Sequence, residues 1–129
     1  MKILIVGGVA AGTKTAAKLK REMGDKADVT VITLGSYISY AACGLPYYIG
    51  QVIKEKETLL ENTPASFENL TDVKVITGIE AVKLDRAGKT VYAKNHNTGA
   101  DETYDYDMLV IATGARPVKP PIPGLDLEN

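Results

Sequence analysis

The chain has 129 residues, 45% hydrophobic and 24% charged, enough for one folded domain with its own core and too apolar for a disordered segment. Lys and Arg number 15 and Asp and Glu 16, so no global basic field exists to hold nucleic acid or an anionic membrane surface. No apolar run approaches the roughly 20 residues of a membrane-spanning helix, and the lone cysteine, Cys43, excludes both an intrachain disulfide and a CxxC zinc site.

Ile3, Leu4, Ile5 and Val6 form a continuous apolar run, the pattern of a parallel strand covered on both faces. The uncharged stretch from Ile3 to Gly12 has the length of a signal-peptide core. Its three glycines and the closely following Lys14 and Lys18 fit a strand turning into a helix instead. Gly12, Ala16, Leu19 and Met23 recur at helical spacing, and Gly24 is a C-cap candidate. Val29 to Ile32 reads as a second buried strand, which completes a βαβ unit.

Residues 42 to 50 predict a short helix in which Pro46 fits only the first turn or a kink. Glu55 to Leu60 is polar and carries no clear period. Thr63 and Pro64 read as N-cap and N1 of a helix through Leu70. Val73 to Thr77 predicts a strand. Ile79 to Tyr106 predicts three antiparallel strands, with turns at Arg86-Ala87-Gly88 and at Asn95 to Gly99. Met108 to Ala112 is a further apolar strand ending at Thr113-Gly114. Pro117, Pro120, Pro121 and Pro123 then make the last 15 residues an extended, linker-like segment.

Three motifs carry chemistry. Gly7-Gly8-Val9-Ala10-Ala11-Gly12 follows a strand and opens a helix, as a dinucleotide fingerprint does. Its first and third glycines match, and Val9 replaces the middle one. Backbone N–H groups at such a helix start suit a pyrophosphate. A tight glycine turn serving only strand–helix packing explains the same residues. The fingerprint also expects an acid at the end of the second strand to hold ribose hydroxyls. Thr33 stands there, and a neutral hydroxyl makes weaker hydrogen bonds than a carboxylate.

The second motif runs from Ser39 to Tyr47 around Cys43-Gly44. A helix starting near Cys43 would stabilise its thiolate; a buried structural thiol is the alternative. The third is the block from Tyr106 to Pro117, a buried strand ending in Thr-Gly at a sheet's carboxyl edge, where α/β proteins bind ligands. A plain core strand and turn explains it equally.

Together the three blocks resemble the pyridine nucleotide–disulfide oxidoreductases, and within them the single-cysteine branch of coenzyme A disulfide reductases, NADH oxidases and NADH peroxidases. The resemblance spans the whole chain. It implies an α/β, Rossmann-like FAD-binding domain whose parallel sheet carries an inserted three-stranded β-meander. Residues 1–114 would be the N-terminal part of that domain. Residues 115–129 would lead toward a NAD(P)-binding domain, so the chain is expected to be part of a longer enzyme. FAD neighbours implied are Gly7, Gly8, Val9, Ala10, Ala11, Gly12, Thr33, Ala81, Ala112, Thr113 and Gly114, with Cys43 at the flavin.

Oxidases and peroxidases of the branch carry a histidine at the position of Ala10. The only histidine here, His96, falls in a hairpin turn and reads as a solvated loop residue. Coenzyme A disulfide reductases are the closer pattern, and they imply coenzyme A contacts at Lys14, Lys18, Arg21, Ser39 and Ala42. Lys14, Lys18 and Arg21 also make a basic stripe at i, i+4 and i+7, which a merely solvated helix face would explain too. Ala42 stands where the family often has asparagine, so one polar contact is missing. The activity implied is reduction of a coenzyme A disulfide or persulfide by NAD(P)H through FAD and Cys43, in a cytoplasmic homodimer without metal, nucleic-acid or membrane partners. A stand-alone nucleotide-binding module and a thiol redox sensor are the other classes compatible with these residues.

Overall fold

The computed structural model describes residues 1–125 and 127. Its centre is a four-stranded parallel sheet in the order β5-β2-β1-β9. The strands are β1 (Lys2–Val6), β2 (Asp28–Thr33), β5 (Lys74–Thr77) and β9 (Met108–Ile111). The apolar run of β1 divides between two cores by the strand's period of two. Ile3 and Ile5 face one layer with Val29, Val31, Ala16 and Phe67, and Leu4 faces the other with Ile32, Ile79, Val91 and Ala93. Positions covered on both faces leave no room for polar side chains, which is why Ile3 to Val6 carries none and the charged Lys2 falls at the exposed start of the strand.

Helices α1 (Ala10–Met23) and α3 (Pro64–Thr71) cover the first face. Gly12 and Ala16 are buried where α1 meets the sheet, and Leu19 and Met23 pack beside them. Gly24 ends α1 at φ 55, its N–H donating to Lys20 O. Thr63 caps α3 as expected: Thr63 Oγ1 accepts from Ser66 N at 3.1 Å and Ser66 Oγ accepts from Thr63 N at 2.9 Å. Lys20 Nζ reaches Asp72 Oδ2 at 2.7 Å and ties the two helices; the hydrogen bond to Asp72 raises the Lys20 pKa.

The second face is covered by an antiparallel meander, β6 (Ile79–Asp85), β7 (Thr90–Asn95) and β8 (Asp101–Asp105). Asn95, the first residue of the turn expected at Asn95 to Gly99, has a buried side chain. Its Oδ1 accepts from Asn97 N and Thr98 N at 2.9 and 3.2 Å, and its Nδ2 donates to Glu102 Oε1 at 2.7 Å. Tyr104 Oη donates to the other Glu102 oxygen. Those bonds, Tyr104's first, hold the Glu102 carboxyl below its ordinary range. Burial, with Glu102 adding to it, pushes the Tyr104 phenol up.

A two-stranded ribbon, β3 (Ile38–Tyr40) with β4 (Leu60–Asn62), was not expected. Each strand has three residues, and only Ile38 is fully buried, so neither shows a readable period. Helix α2 spans Leu45–Ile49, with Pro46 in its first turn. Among the described residues, no helix is long and apolar enough to cross a membrane.

Candidate functional site

The glycine loop lies between two strand tips. Gly7 N donates to Ile32 O of β2 and Ala112 N donates to Val6 O, both at 2.8 Å. Gly7 has φ +115, and a Cβ there would stand 2.2 Å from Ala112 O. A Cβ on Gly12 would stand 1.8 Å from Gly7 O. The two fingerprint glycines are therefore demanded by the protein's own packing, with strand β9 and helix α1 both backed against the loop. What the loop offers a ligand is the start of α1. Its N-cap, Val9, supplies no side-chain acceptor, and no acid sits in the first turn. Ala10 and Ala11 are exposed. The first-turn N–H groups and the positive end of a 14-residue helix are left for an anion.

Beside the loop opens a cleft of about 480 Å³. Gly7, Thr33, Ala81, Thr113 and Gly114, from four separate parts of the chain, line it together. Gly114 turns the chain at φ +72. Gly8, Val9, Ala10, Ala11, Gly12 and Ala112 belong to the same loop and strand end without lining the cleft. Sequence reasoning did not assign Leu34, Gly35, Ile79, Glu80 or Arg116 to it, though all contribute to its wall. Leu34, Gly35 and Arg116 had a signal in position, each following a strand that ends at the sheet's carboxyl edge, whereas Ile79 and Glu80 open β6 of the meander and had none.

Cys43 is exposed, which removes the reading of a buried structural thiol. The helix expected near it begins two residues later, at Leu45, and has only five residues; Cys43 lies in the 3₁₀ turn Ala42–Gly44 that precedes it. The cysteine segment is tied to the glycine loop through Ser39 N, which donates to Gly8 O at 3.3 Å. Ser39 adopts φ 49, a conformation side chains disfavour. Gly44 is buried, and the group approaching it is Leu59: a Cβ on Gly44 would stand 2.5 Å from Leu59 Cδ2.

Lys14, Lys18 and Arg21 are all exposed on α1 and flank one shallow groove with Ala17 and Leu19. Lys18 Nζ pairs with Glu22 at 2.6 Å, whereas Lys14 and Arg21 have no ion-pair partner among the described residues. Helix α1 packs against β3, the strand that carries Ser39 toward the exposed Ala42 and Cys43. His96 is exposed in the β7–β8 turn, but its Nε2 lies 2.7 Å from Glu80 Oε2. Among the described residues, no group of three or more His, Cys, Asp or Glu side chains gathers to hold a metal ion.

A parallel sheet with a βαβ glycine turn, a helix N-terminus facing the carboxyl edge and an antiparallel meander on the opposite face defines a Rossmann-like dinucleotide-binding domain. The family model described as pyridine nucleotide-disulphide oxidoreductase matches residues 1–129, and the chain belongs to that family. An NADH oxidase of Enterococcus faecalis is 42% identical over 130 residues, covering 100% of this chain and 28% of that protein. A coenzyme A disulfide reductase of Staphylococcus haemolyticus is 32% identical over 114 residues, covering 88% of this chain and 26% of that protein. Among solved structures, a NAD-dependent persulfide reductase from A. fulgidus superposes with a TM-score of 0.91 at 43% identity, over 99% of this chain and 24% of that one. The reduced CoADR-RHD of Bacillus anthracis gives 0.89 at 40% identity, over 95% of this chain and 22% of that one. The chain thus spans under a third of the length of the proteins it matches.

Proposed function

We propose that residues 1–114 are the N-terminal part of an FAD-binding domain, that residues 115–129 connect it to a NAD(P)-binding domain, and that the whole protein reduces a coenzyme A disulfide or persulfide through Cys43. The observation that carries this reading is an exposed thiol on a segment hydrogen-bonded to the glycine loop, through Ser39 N and Gly8 O. The residues present fit FAD. The uncapped start of α1 suits its pyrophosphate, and the cleft beside Thr33, Ala81 and Gly114 is open to its adenosine end. The chemistry FAD would supply is a two-electron relay between NAD(P)H and sulfur.

The chain's own part is thiol–disulfide exchange. The Cys43 thiolate attacks one sulfur of the substrate disulfide. The substrate S–S bond breaks, a Cys43–sulfur bond forms, and the departing thiolate takes a proton. Two electrons then cleave the mixed disulfide, restoring the Cys43 thiolate and releasing the second substrate sulfur as a thiolate that takes the other proton. Overall, NAD(P)H, one proton and one disulfide give NAD(P)⁺ and two thiols. Lys14 and Arg21 would meet coenzyme A phosphates directly, and Lys18 by exchanging Glu22 for them. Ser39 would supply a hydroxyl to the substrate; Ala42 supplies none. A cytoplasmic homodimer is the assembly this reading expects.

The 42% identity to an NADH oxidase supports a second reading, in which oxygen is the acceptor. Ala10 leaves the glycine loop without the histidine expected of that activity. The test is the full-length protein assayed with NAD(P)H. Bound oxidised flavin and oxidation of NAD(P)H that depends on coenzyme A disulfide or persulfide are expected. Oxidation driven by oxygen and indifferent to both sulfur substrates would overturn the first reading in favour of the second.

A further inference from the structure

The end of β2 is where a ribose would ordinarily meet a carboxylate, and Thr33 offers only a hydroxyl. Its side chain is also pinned. A Cβ on Gly8 would stand 2.8 Å from Thr33 Cγ2 and 2.9 Å from Thr33 Cβ, and Thr33 is 8% exposed. The cleft nevertheless holds one carboxylate among its described lining residues, that of Glu80. Its placement follows from the core. Ile32 and Ile79 are both buried in the same cluster, and the next residue after each, Thr33 and Glu80, emerges at the cleft. The start of β6 is fixed further by the β7–β8 turn: His96 N donates to Gly78 O at 2.8 Å and Asn97 Nδ2 donates to Thr77 O at 2.9 Å. His96 Nε2 engages one Glu80 oxygen, Oε2, at 2.7 Å. The other oxygen has no hydrogen-bond partner among the described residues, and the side chain is 44% exposed.

We propose that Glu80 is the carboxylate that accepts hydrogen bonds from the adenosine ribose of the dinucleotide, in place of an acid at Thr33. The inference rests on the FAD reading above and adds to it the residue that anchors the adenosine end. A charged acceptor at the start of β6, on the meander that packs over the end of β2, offsets what the neutral Thr33 hydroxyl lacks.

The test is FAD titration of the full-length apoprotein, followed by quenching of flavin fluorescence, with Glu80→Gln beside the natural sequence. Glu80→Gln should weaken FAD binding about tenfold. The same variant should cost almost nothing with an FAD analogue whose adenosine ribose lacks both hydroxyls, because the partner group is then gone. Wild-type affinity for FAD in Glu80→Gln would overturn the proposal while leaving the FAD reading intact. A loss equally large with the deoxy analogue would also overturn it, since the side chain would then act elsewhere. Failure of the unmodified apoprotein to bind FAD at all would overturn the FAD reading and this inference with it.

Discussion

Lys2 and Asp107 bond each other twice. Lys2 N donates to Asp107 Oδ2 at 2.7 Å, and Asp107 N donates to Lys2 O at 2.9 Å. The two residues are 105 positions apart, so the clamp closes nearly the whole chain into one sheet. It fixes the entry of β9, whose register then runs from Ile3↔Met108 to Val6↔Ile111. A slip of one residue would turn every side chain of β9 to the other face and carry Ala112 away from the glycine loop. Asp107→Ala should lower stability by about 1–2 kcal/mol, read as a reduced urea midpoint, by loss of a charge-assisted bond to a backbone donor. Asp107→Asn, which keeps an acceptor, should lose less. Equal losses in both variants would show that the negative charge, and not the acceptor, is what matters.

The glycines of the chain separate into two kinds, and substitution should reveal them. Gly7→Ala meets both a disfavoured φ of +115 and the Ala112 carbonyl at 2.2 Å, which is backbone and cannot rotate away. It should cost more than about 3 kcal/mol and drive β9 off β1. Gly99→Ala keeps only the conformational cost of φ +78, with nothing within 4 Å of the new Cβ, and should cost about 1 kcal/mol. Thermal melts of the two variants provide the comparison. Similar losses would mean that the loop yields and that β9 does not need its contact with Gly7.

Stability should also depend on pH through one pair in the meander. The Glu102 carboxyl is held below its ordinary value of 4.5 in the folded state, so its contribution is present above that value and is lost as pH falls through the folded pKa. The Tyr104 phenol is pushed above its ordinary value of 10.0, so its contribution is present below that value and is lost as pH rises toward the folded pKa. Tyr104→Phe removes the phenol and the larger of the two bonds to Glu102. Urea midpoints measured across pH should therefore fall less steeply at both the acid and the alkaline ends in Tyr104→Phe. An acid limb identical to that of the unmodified chain would assign the Glu102 effect to Asn95 alone.

The parallel strands, α1, α3 and the meander were legible because each has a strong local signal. Examples are the unbroken apolar run of Ile3 to Val6, the Thr63-Pro64 cap and the Asn95 to Gly99 turn. The β3–β4 ribbon was not legible, because it pairs Ile38 with Asn62 and Tyr40 with Leu60 across a gap of about twenty residues, with no alternation in either strand. The cleft was half legible. Thr33, Gly7, Thr113 and Gly114 followed from motif position. Glu80 did not, since only the packing of Ile79 against Ile32 brings β6 to the end of β2. The helix expected at Cys43 was displaced to Leu45 because Ala42–Gly44 closes as a tighter turn, with Gly44 N donating to Ala41 O at 2.9 Å and Gly44 buried against Leu59.

Cys43 should matter to the chemistry and not to folding. Its side chain is exposed, so replacing sulfur by oxygen leaves no cavity and should change stability by no more than about 0.5 kcal/mol. The chemistry changes far more, because a serine hydroxyl does not ionise near neutral pH and cannot form a disulfide. In the full-length protein, Cys43→Ser should therefore abolish turnover of coenzyme A disulfide or persulfide. Anaerobic reduction of the flavin by NAD(P)H, followed by stopped-flow absorbance, should keep its rate, because that half-reaction does not use the thiol. The two measurements together separate loss of a nucleophile from loss of cofactor, which would depress both. If Cys43→Ser still reduced the sulfur substrate at near the unmodified rate, the exposed thiol beside the glycine loop would have no part in the chemistry, and electrons would have to reach the substrate without a covalent link to this chain.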